Sequence, residues 1–228
     1  MSRFEPDSDV SRLNAAQPGE RIALNAATLC VLSLANELEC ASGGAFRCAR
    51  ALSDVAHEGP AWTIGNDTVC KHVPVLFDLG GIAKGYAVDC AIDAMLAAFG
   101  NAGPEYMLVN AGGDMRHAGT LPAEVALRDP AAPALTACTW TLHNAAIASS
   151  VAGGLTPGCG DAQRLHPPSG TDTLPACAGT SVLAPTCMLA DALTKVALLC
   201  RDPNHPLLAR HAACTLLYRD GKLAAPRC

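Results

Sequence analysis

Apolar residues recur along the chain with helical and strand periods, which predicts a mixture of helices and strands. Helical spacing predicts helices over residues 25–41, with Asn25 as the N-cap, over about 82–99 and over 188–200. Short apolar runs between turn residues predict strands at 61–64, 73–77, 106–110, 124–128, 137–142, 145–148 and 181–184, and a closing hairpin at 214–219 and 222–224. Residues 153–177, which are rich in Gly and Pro, are expected to form a long loop of the kind that is often functional.

The stretch 77–89, FDLGGIAKGYAVD, predicts a strand-to-helix turn that gathers several polar groups. Asp78 ends the strand, Gly80 and Gly81 form a turn expected to admit no bulky residue, and Lys84 opens the helix. Unpaired backbone N–H groups and the helix dipole attract phosphate at such a turn, and Lys84 adds a positive charge. The alternative is a turn that only changes the chain direction, because the stretch is neither a P-loop nor a G-x-G-x-x-G motif. The inner face of the helix is expected at Gly85, Val88, Ile92, Met95 and Phe99.

Two further stretches carry candidate chemistry. The strand at 106–110 runs into Ala111-Gly112-Gly113-Asp114, and the helix at 188–200 carries Asp191 in its first turns. The motifs DLGGIAKGYAVD, VNAGGD and ADALT, in this order, resemble the ApbE-type flavin transferases, which are FAD:protein FMN transferases. The opening MSRFEPDSDVSRLN and the segment ASGGAF resemble the same family. The resemblance implies an α+β fold, with mixed sheets and packed helices in a single domain over residues 1–228.

The resemblance also implies an enzyme that cleaves the pyrophosphate of FAD with Mg²⁺, transfers FMN to a threonine hydroxyl of an acceptor protein and releases AMP. In a phosphoryl transfer of this kind, positioning and charge neutralisation provide most of the catalysis. On the flavin side, the resemblance implies that Phe4 and the backbone at Ala45 and Phe46 contact the flavin. It further implies that Asp78 holds the flavin or its ribityl chain.

On the phosphate side, the resemblance implies that Lys84 neutralises the pyrophosphate. The backbone carbonyl of Gly81 and the carboxylate of Asp191 are expected to hold Mg²⁺, which prefers oxygen ligands. His166 is the candidate base for the acceptor threonine, since a neutral imidazole accepts a proton near pH 7. The alternative for His166 is a solvated histidine in a loop.

Two of the departures from the family pattern concern the expected base and the expected metal site. Arg164 and His166 stand where the family has His and Asp, and Lys195 stands where it has the threonine that assists Asp191. An ammonium cannot ligate a cation, and a lysine one turn from Asp191 is expected to pair with that carboxylate and compete with Mg²⁺. Two rival functions therefore stay open: a FAD pyrophosphatase, in which water replaces threonine, and a non-catalytic flavin-binding relative.

Composition narrows the possible partners and compartments. A net charge of −5 with only four lysines argues against a nucleic-acid partner. No apolar run reaches the ~18 residues of a membrane span, and the start MSRFEPD is not a signal peptide, so the sequence as written predicts a cytoplasmic protein. The twelve cysteines form no Cys-x-x-Cys pair and are expected to act as small apolar residues rather than disulfides or zinc ligands. The resemblance begins inside the family pattern, without its N-terminal strands, so a longer periplasmic or membrane-anchored protein is the alternative.

Overall fold

The computed structural model describes residues 1–52, 58–100, 103–152, 178–219 and 222–224. The chain forms two compact units, Met1–Ala83 and Lys84–Cys228. Each unit has its own sheets and helices. Within the described residues, no helix combines the length and apolar character that crossing a membrane requires.

The first unit combines small antiparallel sheets with two helices. Strands β1, β4 and β3 form one sheet in the order β1-β4-β3, and β2 pairs with β5 in another. The bounds are α1 Asp9–Ala15, β1 Arg21–Ala23, α2 Ala26–Ala41, β2 Ala49–Ala51, β3 Trp62–Ile64, β4 Thr68–Lys71 and β5 Val75–Phe77.

Side-chain hydrogen bonds fix the helices of this unit. Asn25 caps α2, as predicted, and its side-chain oxygen accepts a hydrogen bond from the backbone N–H of Thr28 at 2.8 Å. Asn14, near the end of α1, bonds to both the N–H and the carbonyl of Phe77, at 2.7 and 3.0 Å. The Asn14 amide therefore takes the place of a neighbouring strand along β5. The Phe77 ring packs edge-on against Trp62, with centroids 5.3 Å apart, in the core of the unit.

The second unit is built on a six-stranded antiparallel sheet with the order β13-β12-β11-β10-β7-β6. A separate antiparallel hairpin pairs β8 with β9. The bounds are α3 Ala83–Phe99, β6 Met107–Ala111, β7 Asp114–Ala118, β8 Ala123–Arg128, β9 Thr136–Leu142, β10 Ala146–Val151, β11 Gly179–Ala184, α4 Cys187–Cys200, α5 Pro206–Arg210, β12 Cys214–Arg219 and β13 Lys222–Ala224.

The six-stranded sheet has a different layer on each face. Ala146 of β10 packs with Val88 of α3 and Cys187 of α4. The next residue, Ile147, packs in the core that contains residues of the β8–β9 hairpin, such as Val125. Successive strand residues point to opposite faces, so helices α3 and α4 cover one face and the hairpin covers the other. The candidate site lies on the helical side.

Most predicted elements are present, but several details of burial were wrong. Met95 and Phe99 were expected on the inner face of α3, yet both are exposed, and Leu96 packs beside Ile92 instead. Positions 92 and 96 are four residues apart and lie on the same side of the helix, so the buried stripe continues through Leu96. Gly80 and Gly81 do not have positive φ angles, so their turn does not require left-handed backbone.

The patterns also left some elements and residues unpredicted or misplaced. Helix α1, strands β1, β2, β4 and β7 and the short helix α5 were not predicted. Of the cysteines within the described residues, two are buried and four are exposed, so the expectation of apolar surroundings holds only for some of them; the exposed ones are Cys30, Cys40, Cys90 and Cys200. The single domain expected over residues 1–228 stays a prediction.

Candidate active site

Four charged side chains of the second unit meet where α3 and β7 begin and α4 passes them. Lys84 is the second residue of α3, Asp114 opens β7, and Asp191 and Lys195 lie one turn apart on α4. The Nζ of Lys84 lies 2.9 Å from Oδ2 of Asp114 and 3.2 Å from Oδ2 of Asp191. The Nζ of Lys195 donates to Oδ1 of Asp191 and, at 2.9 Å, to the Asp191 carbonyl. These four residues are called the Asp–Lys cluster below.

The two carboxylates of the cluster are buried more deeply than the two ammonium groups. The side chains of Asp191 and Asp114 are 2% and 4% exposed, while those of Lys195 and Lys84 are 13% and 46% exposed. When all four groups are ionised, two negative and two positive charges cancel. The cluster is therefore a neutral ion-pair network with its cationic side nearer to solvent.

Burial and charge act differently on the two carboxylates. Burial raises the pKa of Asp114, the Asp191 carboxylate raises it further, and Lys84 offsets only part of this. Burial alone would also raise the pKa of Asp191, but the ammonium groups of Lys195 and Lys84 outweigh it and hold that pKa below its usual range. Asp191 is therefore the firmly ionised member, and Asp114 binds a proton more readily.

Glycines allow these groups to approach each other. Gly112 and Gly113 form the two-residue connection between β6 and β7 with φ angles of 68° and 103°, which suit a turn of this hand. This turn places Asp114 at the start of its strand. A Cβ at Gly85 would overlap the carbonyl oxygen of Cys187, so only glycine lets the first turn of α3 touch α4. The Gly85 N–H lies 3.4 Å from Oδ2 of Asp191 and points to it as a weak donor.

A buried carboxylate outside the cluster fixes the start of α4. The oxygens of Asp89 accept hydrogen bonds from the backbone N–H groups of Cys187 and Met188, at 2.8 and 2.9 Å. Arg116 lies 3.1 Å from the same carboxylate. The first N–H groups of a helix have no partner within the helix, so Asp89 satisfies two of them and interacts favourably with the helix dipole. Asp89 thereby sets the position of Asp191 one turn later.

The hydroxyl nearest to Asp191 on α4 already has partners. Thr194 is fully buried and donates to the Asp191 carbonyl at 2.6 Å. Its oxygen lies 2.7 Å from the hydroxyl of Ser150 on β10. Thr194 thus ties α4 to the sheet.

The residues of the cluster do not fit an octahedral Mg²⁺ in this arrangement. Mg²⁺ requires oxygen ligands at about 2.0–2.1 Å, usually from one or two carboxylates plus phosphates. Each carboxylate oxygen of Asp191 already faces an ammonium group, Lys195 on one side and Lys84 on the other. Among the described residues, no group of three or more His, Cys, Asp or Glu is placed to hold a metal ion. The predicted magnesium ligands, the Gly81 carbonyl and Asp191, stay a prediction.

In the first unit, a cation also contacts the aspartate expected at the flavin. Asp78 is paired with Arg3 at 3.0 Å, and its Oδ1 accepts a hydrogen bond from the Gly80 N–H at 2.9 Å. The Arg3 guanidinium lies 4.9 Å from the ring centre of Phe4, which is exposed. Arg3 therefore brings together two of the predicted flavin contacts, Phe4 and Asp78.

The other predicted flavin contacts precede the strand that pairs with β5. Ala45 and Phe46 are buried, and the Phe46 N–H donates to the Ser42 hydroxyl at 3.0 Å. The Asp78 N–H donates to the carbonyl of Cys48 at 2.8 Å, which extends the β2–β5 ladder by one bond. The segment containing Phe46 therefore reaches the same end of this ladder as Asp78.

Sequence comparison decides the family. Residues 1–216 match the ApbE family. The chain belongs to the ApbE family. No curated protein shows significant sequence similarity to the chain.

Solved ApbE structures have the same fold. A flavinyl transferase ApbE from Pseudomonas stutzeri, in its apo form, has a TM-score of 0.73 and 22% identity, with 100% of this chain and 80% of that chain covered. A flavin transferase ApbE from Vibrio cholerae has a TM-score of 0.73 and 22% identity, with 99% and 82% covered. The ApbE protein from Thermotoga maritima has a TM-score of 0.73 and 20% identity, with 99% and 82% covered. The α+β fold predicted from the ApbE resemblance is confirmed.

Some ApbE-based predictions concern residues that the structure does not describe. His166, Arg164 and the whole expected loop 153–177 fall in the range 153–177, which lies outside the described residues. The role of His166 as a base therefore stays a prediction. The expected pairing of Lys195 with Asp191, in contrast, is confirmed.

Sequence reasoning missed two acidic residues of this ApbE chain. Asp114 was noted after the second Gly-Gly turn but received no role, although it is buried and paired with Lys84. Its signal was the turn itself, because a two-residue hairpin connection of glycines places the next residue at the start of the following strand. Asp89 lay inside the quoted helix motif, and nothing in the local sequence indicates that it caps a helix about a hundred residues later.

Proposed function

We propose that this ApbE-family chain is an enzyme, a flavin transferase that moves FMN from FAD to a threonine hydroxyl of an acceptor protein. The acceptor oxygen would form a bond to the FMN phosphorus. The bond from that phosphorus to the bridging oxygen would break, AMP would leave with that oxygen, and the hydroxyl proton would pass to a base. Family membership over residues 1–216 supports the reaction class.

The observation that carries the proposal is the Asp–Lys cluster. Phosphoryl transfer needs fixed positive charge at the phosphates more than it needs covalent chemistry. Lys84 supplies such a charge, since two buried carboxylates hold its ammonium group while nearly half of the side chain stays exposed. Desolvation would lower the pKa of Lys84, but Asp191 and Asp114 more than offset it and keep the group protonated. The positive charge and the partial exposure of Lys84 therefore support its predicted contact with the pyrophosphate.

The remaining parts of the reaction follow the family resemblance. FAD is the donor, Phe4 and Asp78 contact its flavin part, and His166 is the candidate base. The resemblance also implies a requirement for Mg²⁺, but Asp191 is already paired with Lys195 and Lys84. The reaction should therefore be measured with Mg²⁺ and with a chelator.

The test incubates the protein with FAD and an extract of its source cells that contains candidate acceptors. AMP is measured by chromatography, and covalently bound flavin is detected by in-gel fluorescence and located by mass spectrometry. We expect equal amounts of AMP and of flavin bound to a threonine. Lys84→Ala should weaken FAD binding and slow transfer, while Arg128→Thr, which removes an exposed charge on β8, should behave like the wild type.

The same assay separates the rival functions. AMP together with free FMN would indicate a FAD pyrophosphatase. Bound FAD without any AMP would indicate the non-catalytic flavin-binding relative. That outcome is expected if the Lys195–Asp191 pair prevents the reaction. Equal FAD affinity of the wild type and Lys84→Ala, measured by flavin fluorescence, would remove Lys84 from the phosphate site.

A further inference from the structure

We infer that Lys195 takes the place of a divalent cation on Asp191, so that the Asp–Lys cluster binds the diphosphate of FAD without a metal. The inference rests on the proposed function, because that function supplies the diphosphate ligand.

The charge balance favours a site that needs no metal. Asp114 and Asp191 carry two negative charges, and Lys84 can neutralise only one of them. With an uncharged residue at position 195, the cluster would keep a net negative charge and would repel a diphosphate unless a cation joined it. Lys195 brings the total to zero. The fixed ammonium thereby removes the charge deficit that a bound cation would otherwise correct.

The geometry holds the Lys195 ammonium in place on Asp191. It donates to the side chain and to the backbone carbonyl of the same residue, with the carbonyl at 2.9 Å. Its side chain is only 13% exposed, so its position is restricted by packing as well as by charge. An ammonium has three donors, and Asp191 accepts two of them, so we expect the third to serve an oxygen of the ligand.

The same geometry disfavours a divalent cation. A cation bound to Asp191 would have to displace the Lys195 ammonium or the Lys84 ammonium from a carboxylate oxygen. It would then lie close to both ammonium groups in a poorly solvated place, where like charges repel strongly. Thr194 cannot easily assist, because its hydroxyl bonds to the Asp191 carbonyl and to Ser150. Lys195 thus makes a metal both less needed and harder to bind.

The first experiment measures FAD affinity by flavin fluorescence, without an acceptor, in Mg²⁺ and in EDTA. The wild type should bind FAD with the same affinity, within about twofold, in both solutions. Lys195→Thr should bind about 10- to 100-fold more weakly in EDTA, the factor expected for one lost charge-assisted hydrogen bond, and Mg²⁺ should restore it. Lys195→Arg keeps the charge and should stay independent of Mg²⁺. Arg128→Thr is the matched control for the loss of an exposed charge, and circular dichroism checks that each variant is folded.

The second experiment measures the metal directly, without FAD. Mn²⁺ replaces Mg²⁺, and the free ion is counted by electron paramagnetic resonance. The wild type and Lys195→Arg should leave Mn²⁺ free, whereas Lys195→Thr should bind it. This measurement does not depend on flavin binding or on turnover.

The outcomes separate the inference from the proposed function. If the wild type binds FAD only with Mg²⁺, or binds Mn²⁺ as tightly as Lys195→Thr, the inference is overturned and the transferase proposal stands. If FAD binds under neither condition, the transferase proposal fails, and the Mn²⁺ measurement alone decides whether Lys195 occupies the cation position.

Discussion

Two aspartate–cation pairs, one in each unit, have similar chemistry and very different surroundings. In the first unit, Asp78 pairs with Arg3 at 3.0 Å, and the two side chains are 41% and 29% exposed. In the second unit, Asp191 pairs with Lys195 and Lys84, and its own side chain is 2% exposed. Water competes for both members of the first pair, whereas it is nearly excluded from the Asp191 carboxylate.

The difference shows that solvent exposure decides what an ion pair contributes. An exposed pair is screened and contributes about 0–1 kcal/mol to stability. The effect of a buried carboxylate on stability depends on its charged partners. Removing one of the two charges leaves the other uncompensated in a poorly solvated place. Substitutions at the buried Asp191 should therefore have large effects on stability, and those at Asp78 should affect binding rather than stability.

The largest effect is expected for Asp191→Asn, which keeps the shape of the side chain and removes its charge. Lys195 would then be left without its charged partner while nearly buried, so the free energy of unfolding should fall by about 3 kcal/mol. Urea unfolding followed by circular dichroism measures the change. If Asp191→Asn were no more destabilising than Asp78→Asn, burial would not determine how much the two ion pairs contribute to stability.

A smaller loss is expected for Asp89→Asn, the change at the start of α4. The amide keeps one acceptor for two backbone N–H groups and places an NH₂ group against the other donor, so unfolding should become easier by about 2 kcal/mol. Asp93→Asn is the matched control, because Asp93 also bonds Arg116, at 3.0 Å, but is exposed. Equal melting temperatures for the two variants would show that Asp89 does not hold α4.

Most of the fold could be predicted from the local sequence pattern. The elements that were not predicted were missed for physical reasons. The hairpin of β12 and β13, the cap at Asn25 and the long helices carried clear periodic or turn signals. Strands β1, β2 and β4 have three or four residues each, one of them Lys or Arg, so they lack the short apolar run by which the equally short β3 and β5 were recognised. Helix α1 lies in a polar segment with only two buried apolar residues, Val10 and Leu13, so its apolar stripe was too thin to detect.

The candidate site was predictable only in part, because its contacts join residues far apart in sequence. Lys84, Asp191 and the pairing of Asp191 with Lys195 followed from motifs and from helical spacing. The bond from Asp89 to Cys187 spans 98 residues, and the pairing of Asp114 with Lys84 crosses from a strand to a helix. Such contacts depend on how the sheet places its strands, which local spacing does not encode.

The stability change caused by Asp114→Asn should depend on pH with the opposite sign to that caused by Asp191→Asn. Burial raises the pKa of Asp114 above its ordinary value of 3.8, so the folded state binds this proton more tightly than the unfolded state. The stability that Asp114 contributes is therefore present below pH 3.8 and is lost as the pH rises through its folded pKa. Relative to the wild type, Asp114→Asn should gain stability as the pH rises above 3.8 and then level off.

The stability of Asp191→Asn relative to the wild type should change with pH in the opposite direction. The pKa of Asp191 is lowered from 3.8, because Lys195 and Lys84 outweigh the effect of burial. Its contribution is present above pH 3.8 and is lost as the pH falls through the folded pKa, so the deficit of Asp191→Asn should shrink in acid. Urea midpoints measured from acid to neutral pH test both curves. Parallel curves for the two variants would show that the two carboxylates do not differ.

The smallest effect on stability is expected for Asp78→Asn, at the exposed pair. The amide keeps an oxygen for the Gly80 N–H and loses only the attraction to Arg3, so stability should change by less than about 1 kcal/mol. Because Asp78 is proposed to hold the flavin or its ribityl chain, FAD affinity should fall although the fold is unchanged. Asp67→Asn, in the exposed turn before β4, is the control that should alter neither property. If Asp78→Asn left the FAD affinity unchanged, Asp78 would not hold the flavin or its ribityl chain. A large loss of stability would show that the exposure of Asp78 does not determine how much its pair with Arg3 contributes.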